Sequence, residues 1–207
     1  MSKAAVLAKG SVHVVEDDNF SGTTEQIITD AGTSQGRQVI TSSTGNFTIL
    51  LASPQMAYVQ GDATFLEQNF QMSQEEATKY AGQWIAVPSS NSSFAPFVTF
   101  LTVSSIMTGA PPSAPLRLTK PTSIDGKSVV GVSGGLGPYE PSGHYGTQVL
   151  YISTVAPYLP ASVVLHGTNG NAATETATDH MSDYGESVSV TAPADSIPIS
   201  SIPVPTP

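Results

Sequence analysis

A chain of 207 residues with 16 acidic and only 7 basic side chains carries a formal charge of −9, so it cannot assemble the basic stripe that nucleic-acid phosphates require. The same imbalance disfavours an anionic membrane surface. Without cysteine there is no disulfide, thiol nucleophile or thiolate metal site, and a charged fraction of only 11% with abundant Ser, Thr and Gly favours a β-rich domain over a helical bundle.

The first ten residues hold an apolar core too short for a signal peptide, and no apolar run approaches the roughly 18 residues of a membrane span. The expectation is a cytosolic protein, or an exported one whose export segment lies outside this sequence. Residues 11–16 set Val12 and Val14 against Ser11, His13 and Val15, the period of a strand. A second β-rich run covers 23–30 and ends in a turn at 32–36. Strands follow at 37–42, 46–52 and 56–60, and turn signals recur every 8–12 residues. That spacing predicts a meander that curls into a curved sheet or barrel.

A well-capped helix interrupts the meander. Ser73 is a good N-cap and Glu76, three residues on, completes the capping-box spacing; Glu75 and Glu76 sit at the positive end of the helix dipole. Ala77, Tyr80, Ala81 and Trp84 share one face, Gly82 ends the helix, and Trp84 reads as a core anchor at its exit. A second helix is predicted over 94–107, capped by Asn91, Ser92 or Ser93, with Pro96 in its first turn and Gly109-Ala-Pro-Pro112 as its stop. Phe94, Phe97, Val98, Phe100, Leu101, Val103, Ile106 and Met107 make it apolar nearly all round. Such a helix packs as core beneath a loop, walls an apolar cavity, or presents a protein-contact face.

Strands resume at 116–120, 127–133, 147–153, 161–166, 172–178 and 187–191, with residues 134–143 as a long hairpin connection. From Pro193 the chain is proline-rich, with 195–199 at a sheet edge. No internal repeat or second core is evident, so residues 3–200 are expected to form a single domain and 201–207 a loose tail.

Few residues carry a chemical motif. Gly131-Val-Ser133-Gly-Gly135 matches the nucleophile-elbow pattern, but Leu136-Gly-Pro-Tyr-Glu-Pro141 follows it and cannot start the helix an elbow needs. The same glycines precede no Lys-Ser/Thr pair, so they make no phosphate loop. Asp179, His180, Asp183 and Glu186 read as a polar hairpin tip, because His180 alternates away from the acids on a strand. Asp17 and Asp18 read as a solvated turn, and His13, His144 and His166 as isolated surface or strand residues. Asn46-Phe-Thr48 and Asn91-Ser-Ser93 fit the short glycosylation pattern. Nothing assembles a nucleophile, base and oxyanion donor, so no enzyme, cofactor or metal is expected.

The order of elements, with Ala57-Tyr-Val-Gln-Gly-Asp-Ala63, Lys79-Tyr-Ala-Gly-Gln-Trp-Ile-Ala-Val-Pro88, and Val149-Leu-Tyr-Ile-Ser-Thr154 leading into Tyr158-Leu-Pro160, resembles bacterial envelope lipoproteins of the LolA/LppX type, especially actinobacterial members. The resemblance implies an α+β fold, a curved antiparallel half-barrel with two helices covering its concave face. It implies a noncatalytic, extracytoplasmic protein that binds a lipid or other hydrophobic small molecule between sheet and helices. Membrane association would come only through a lipidated cysteine on an upstream segment. The pocket residues expected on the helices are Tyr80, Trp84, Phe94, Phe97, Phe100, Leu101, Ile106 and Met107. The alternative is a structural or protein-interaction module of the envelope without a cavity.

Overall fold

Alternation of side chains builds the strands. On β3 (Gly36–Ser42), β4 (Gly45–Ser53) and β5 (Met56–Gly61) buried residues are interspersed with half-buried or exposed ones, in strict alternation on β5, and include Ile40, Ile49, Leu51, Ala57 and Val59. One face of the sheet is therefore apolar and needs a cover. The computed structural model describes residues 2–20, 22–136, 145–168 and 174–202. His144, most of the 134–143 connection, the start of the 172–178 strand and the end of the tail lie outside them.

In chain order the elements are α1 (Ser2–Lys9), β1 (Val12–Phe20), β2 (Thr23–Ala31), β3, β4, β5, α2 (Ala63–Phe70), α3 (Gln74–Tyr80), β6 (Ile85–Pro88), α4 (Phe94–Val98), α5 (Val103–Gly109), β7 (Ser113–Leu118), β8 (Thr122–Ile124), β9 (Lys127–Gly135), β10 (Tyr145–Ser153), β11 (Pro160–Thr168), β12 (Thr174–Ser182) and β13 (Ile197–Pro198). The strands form one curled sheet in the order β13-β6-β5-β4-β3-β2-β1-β12-β11-β10-β9-β7, with β8 beside β9. All pairings are antiparallel except that of β13 with β6, where Ile197 lies opposite Ile85. The chain closes back on itself at β1, which pairs with both β2 and β12. The predicted sheet-edge segment 195–199 is thus the β13 edge.

Helices cover the apolar face in two groups. Under α2, α3 and α4, Phe65, Leu66, Phe70, Ala77, Tyr80, Phe94 and Leu101 pack on Ile40, Ile49, Val59, Ile85 and Val87. Phe65 stacks on Phe47 at 4.1 Å and Phe97 meets Phe70 at 5.4 Å between ring centres. Each large apolar side chain buried in this way contributes about 1.5–3 kcal/mol. Under α1 and α5, Val6, Val103, Ile106 and Met107 pack on Val12, Val14, Leu150, Val163 and Met181.

Several expectations are corrected. The predicted 94–107 helix is two helices, α4 and α5, because the chain dives onto the sheet between them. Thr102 forms its own capping box with Ser105, and the Val103 amide donates to the Gly32 carbonyl at 2.9 Å. Leu101 sits fully buried above Gly36, where a Cβ would collide with the Leu101 carbonyl oxygen. Helices α1 and α2, absent from the sequence reading, complete the roof; the apolar N-terminal stretch is α1, with Val6 wholly buried. Residues 187–191 form no strand; they run irregularly past Gln35, which binds both the carbonyl and the amide of Val190. Asp179 lies within strand β12 rather than in a hairpin tip, and Asp17 and Asp18 lie within β1 rather than in a turn.

Candidate ligand site

The roof leaves space above the β1, β12 and β11 strands. A cavity of about 140 Å³, partly open to solvent, lies between these strands and the α4–α5 segment. Its volume is close to that of an engineered apolar cavity of about 150 Å³ that holds benzene in another protein.

Register explains the walls. Val14 lies opposite Met181, Glu16 opposite Asp179 and Asp18 opposite Ala177 across β1 and β12; Asp179 and Ala177 in turn face Val163 and Leu165 of β11. All point to the covered face, in step with buried Val12 and Val14. From above, Phe100, Ile106, Gly109 and Ala110 close the space.

The neutral polar groups of the lining are satisfied by neighbours. Gln148 of β10 donates its amide to the carbonyls of Ala110 at 2.8 Å and Gly109 at 3.3 Å, which anchors the end of α5. Gln38 donates to the Thr29 hydroxyl at 3.0 Å. Three carboxyl groups on this side of the sheet are shifted. Burial first, and the charge of Asp18 second, push the Asp179 carboxyl up to about 7. Asp18 is raised by burial and by Glu175, against a hydrogen bond from the Asn19 backbone. Glu25, across β2 from Asp18, is raised by burial and then by Asp18. The buried Oδ1 of Asp18 meets no hydrogen-bond donor among the described residues.

Of the residues expected at a pocket, Phe100 and Ile106 line this cavity. Met107 is buried beside it in the same core group. Tyr80, Phe94 and Leu101 are buried in the other core group and Phe97 packs against it. Trp84 is half-buried just before β6, where its carbonyl accepts the Ile197 amide at 2.8 Å. The sequence reading missed Glu16, Gln148 and Asp179. The signal was present: Glu16 and Asp18 continue the even-numbered alternation of Val12 and Val14, and Asp179 shares the parity of Met181.

Elsewhere, Ser133 lies in mid-strand on β9 and its hydroxyl donates to the Arg117 carbonyl at 3.3 Å. His180 points to the other face, 3.7 Å from Asp125, and His13 meets Asp30 at 2.6 Å. Among the described residues no three His, Asp or Glu converge as metal ligands, and no helix is long and apolar enough to cross a membrane.

Among solved structures the chain is similar to LprF from Mycobacterium bovis, at 16% identity over 93% of both chains with a TM-score of 0.57. It is also similar to an uncharacterized conserved protein from Thermus thermophilus, at 9% identity over 96% of this chain and 99% of that one, TM-score 0.47. A LolA superfamily protein from Nitrosomonas europaea matches at 11% identity over 88% and 92%, TM-score 0.33. No protein-family model and no curated protein matches the chain. The likeness to LprF shows the fold: an open curled sheet, a half-barrel, roofed by helices.

Proposed function

We propose that this protein is a noncatalytic binding protein of the cell envelope that holds a hydrophobic ligand, a lipid or acyl chain, between sheet and roof. The observation that carries this reading is the cavity itself, walled by Val14, Val163, Leu165, Ala177, Met181, Phe100 and Ile106. A closed barrel fills its interior with its own side chains, whereas this roofed half-barrel keeps room for a guest. The volume suits one alkyl segment of modest length. At about 0.8 kcal/mol per buried CH₂, an eight-carbon chain gains on the order of 6 kcal/mol before the costs of association.

Phe100 and Ile106 are the roof contacts in this proposal. Tyr80, Phe94, Phe97, Leu101 and Met107 hold the roof in place, and Trp84 stands at the edge. Residues 3–200 act as one unit, and attachment to a membrane through an upstream lipidated segment belongs to the same proposal. The fold it shares with LprF supports an extracytoplasmic location. The test is native mass spectrometry of gently purified protein together with uptake of the neutral probe N-phenyl-1-naphthylamine. A co-purifying amphiphile and saturable uptake are expected; neither appearing would leave an interaction module in its place.

A further inference from the structure

The sheet ends in an edge that the roof does not reach. Strand β7 is the last strand of the path, and all six of its residues are exposed. Leu118 lies opposite Val132, and Leu116 packs over Gly134, whose partner on β10 is the cavity residue Gln148. Both leucines therefore continue the covered face of the sheet beyond Ala110, where the roof stops. Leu116 is 56% exposed there and Leu118 76%, the most exposed large apolar side chain among the described residues.

Charge is segregated toward the same edge. Residues 113–168 carry Arg117, Lys120 and Lys127 against Asp125 and Glu140, a net charge of +1, so the remainder of the chain carries −10. Asp125 is turned to His180, 3.7 Å away, and among the described residues none of the three cations is paired with a carboxylate. The acidic wall on β1 and β12 stands at least four strands from β7, about 19 Å along the sheet at about 4.8 Å per strand. That is more than twice the Debye length of about 8 Å at physiological salt. The total charge of the chain therefore does not govern what meets this edge.

A bare edge strand with exposed leucines invites pairing with another strand. Here Pro115 offers no amide in the middle of β7, and a two-fold copy would bring Arg117 and Lys120 against their own counterparts. A second copy of this chain is thereby disfavoured. Leucines beside unpaired cations match instead the two layers of an anionic bilayer surface, acyl boundary and phosphate head groups. We propose that the β7 edge docks on an anionic lipid bilayer, with Leu116 and Leu118 in the acyl boundary and Arg117, Lys120 and Lys127 among the lipid phosphates. The inference goes beyond the carrier reading and does not depend on the cavity being filled. Docking in this way turns the acidic part of the molecule away from the membrane. It also brings to the membrane the strand that leads directly from the Ala110 end of the cavity.

The experiment floats the intact chain with vesicles of phosphatidylcholine, alone or mixed with phosphatidylglycerol, at about 0.1 M salt. Binding to the mixed vesicles is expected to be at least tenfold tighter than to phosphatidylcholine alone, and to fall as salt is raised. Arg117→Gln and, separately, Lys120→Gln should each weaken it about fivefold. Leu118→Ser should weaken it about tenfold or more. Lys79→Gln removes the same charge from α3 and should leave binding within about twofold of the parent. Leu118→Trp should show a blue-shifted emission on the mixed vesicles that the parent, whose sole tryptophan is Trp84, does not. Circular dichroism confirms that each variant is folded, and uptake of N-phenyl-1-naphthylamine without vesicles should be the same in all of them. Absence of vesicle binding, equal binding to both vesicle types, or a loss in Lys79→Gln as large as in Arg117→Gln overturns the inference. So does sedimentation showing a dimer that Leu118→Ser dissociates, without vesicle binding, which would give the edge to a second copy. In each of these cases retained probe uptake keeps the carrier reading, whereas vesicle binding without uptake overturns that reading alone.

Discussion

At the scale of single residues, Asp179 is the group whose environment departs most from what an acidic side chain prefers. Burial and the neighbouring Asp18 lift its carboxyl to about 7, against 3.8 for the ordinary group. Between those values the folded chain holds a proton that the unfolded chain has released. Its contribution to stability is therefore full below about pH 4 and lost as pH rises through about 7. Among the described residues the acidic groups near it are Glu16 and Asp18 on β1, with Glu175 further along β12. Asp179→Asn cannot ionise, so at pH 8 it should be more stable than the parent by about 1–2 kcal/mol, a rise in Tm of roughly 3–6 °C. At pH 4 the gap should close. Thermal melts across pH 4–8 check this; a variant less stable at pH 8 would mean that the carboxylate is held by a partner. The charged wall was legible only in part from sequence. Glu16 and Asp18 carry the parity of buried Val12 and Val14, but a strand read as ending at residue 16 hides Asp18. Asp179 was hidden the same way, because a hairpin tip at 179–186 carries no facing rule, while a strand through Ser182 does.

At the scale of elements, the roof depends on a few local devices. Ser73 and Glu76 were readable as a capping box, and both bonds form, with the Ser73 amide donating to Glu76 at 3.1 Å and the Glu76 amide to Ser73 at 3.3 Å. Helix α2 was not readable. It ends at Gln71 in the left-handed region, φ 54°, without the glycine that usually marks such an end. Its start is Asp62, which does two tasks: Oδ1 accepts the Phe65 amide at 2.9 Å, and Oδ2 accepts the Asn46 amide at 2.7 Å. Asp62→Ala removes the cap and frees the β4 hairpin together. The expected loss is about 1–2 kcal/mol in denaturant melts, with hydrogen-exchange protection lost first in α2. A loss confined to a few tenths would show that water replaces both bonds. The break between α4 and α5 was illegible for a different reason. Periodicity records that residues 94–107 are apolar on every side, and it cannot record that Gly36, far away in sequence, leaves room for the Leu101 backbone. Gly36→Ala places a methyl against the Leu101 carbonyl oxygen. The structure must shift there, so a destabilisation of about 2 kcal/mol or more is expected. Because Leu101 lies between Phe100 and Thr102, probe uptake should change with it.

At the scale of the whole molecule, one strand path from β7 to β13 carries two packed regions that differ in completeness. Beneath α2, α3 and α4 the aromatic group of Phe47, Phe65, Phe70 and Phe97 fills the space. Beneath α5 the roof stands over smaller residues, with Ala110 above and Ala177 below, and the cavity remains. The half-barrel class was legible from element order, since a meander, a helical insertion and a second meander leave few other ways to bury one apolar face. The position of the empty region was not, since it depends on which side chains meet across β12, β11 and α5. Ala177→Leu tests whether that emptiness is the working part of the molecule. The added carbons project from β12 into a space of about 140 Å³, so the variant should fold with a Tm equal to or above the parent's. In the parent, a ligand at a hundred times its dissociation constant should stabilise the native state by about 2.7 kcal/mol and raise Tm by several degrees. In Ala177→Leu that ligand-dependent rise should disappear, together with probe uptake, because the guest and the new side chain compete for the same volume. A folded variant that keeps the full ligand-dependent shift would place the binding site elsewhere on the sheet.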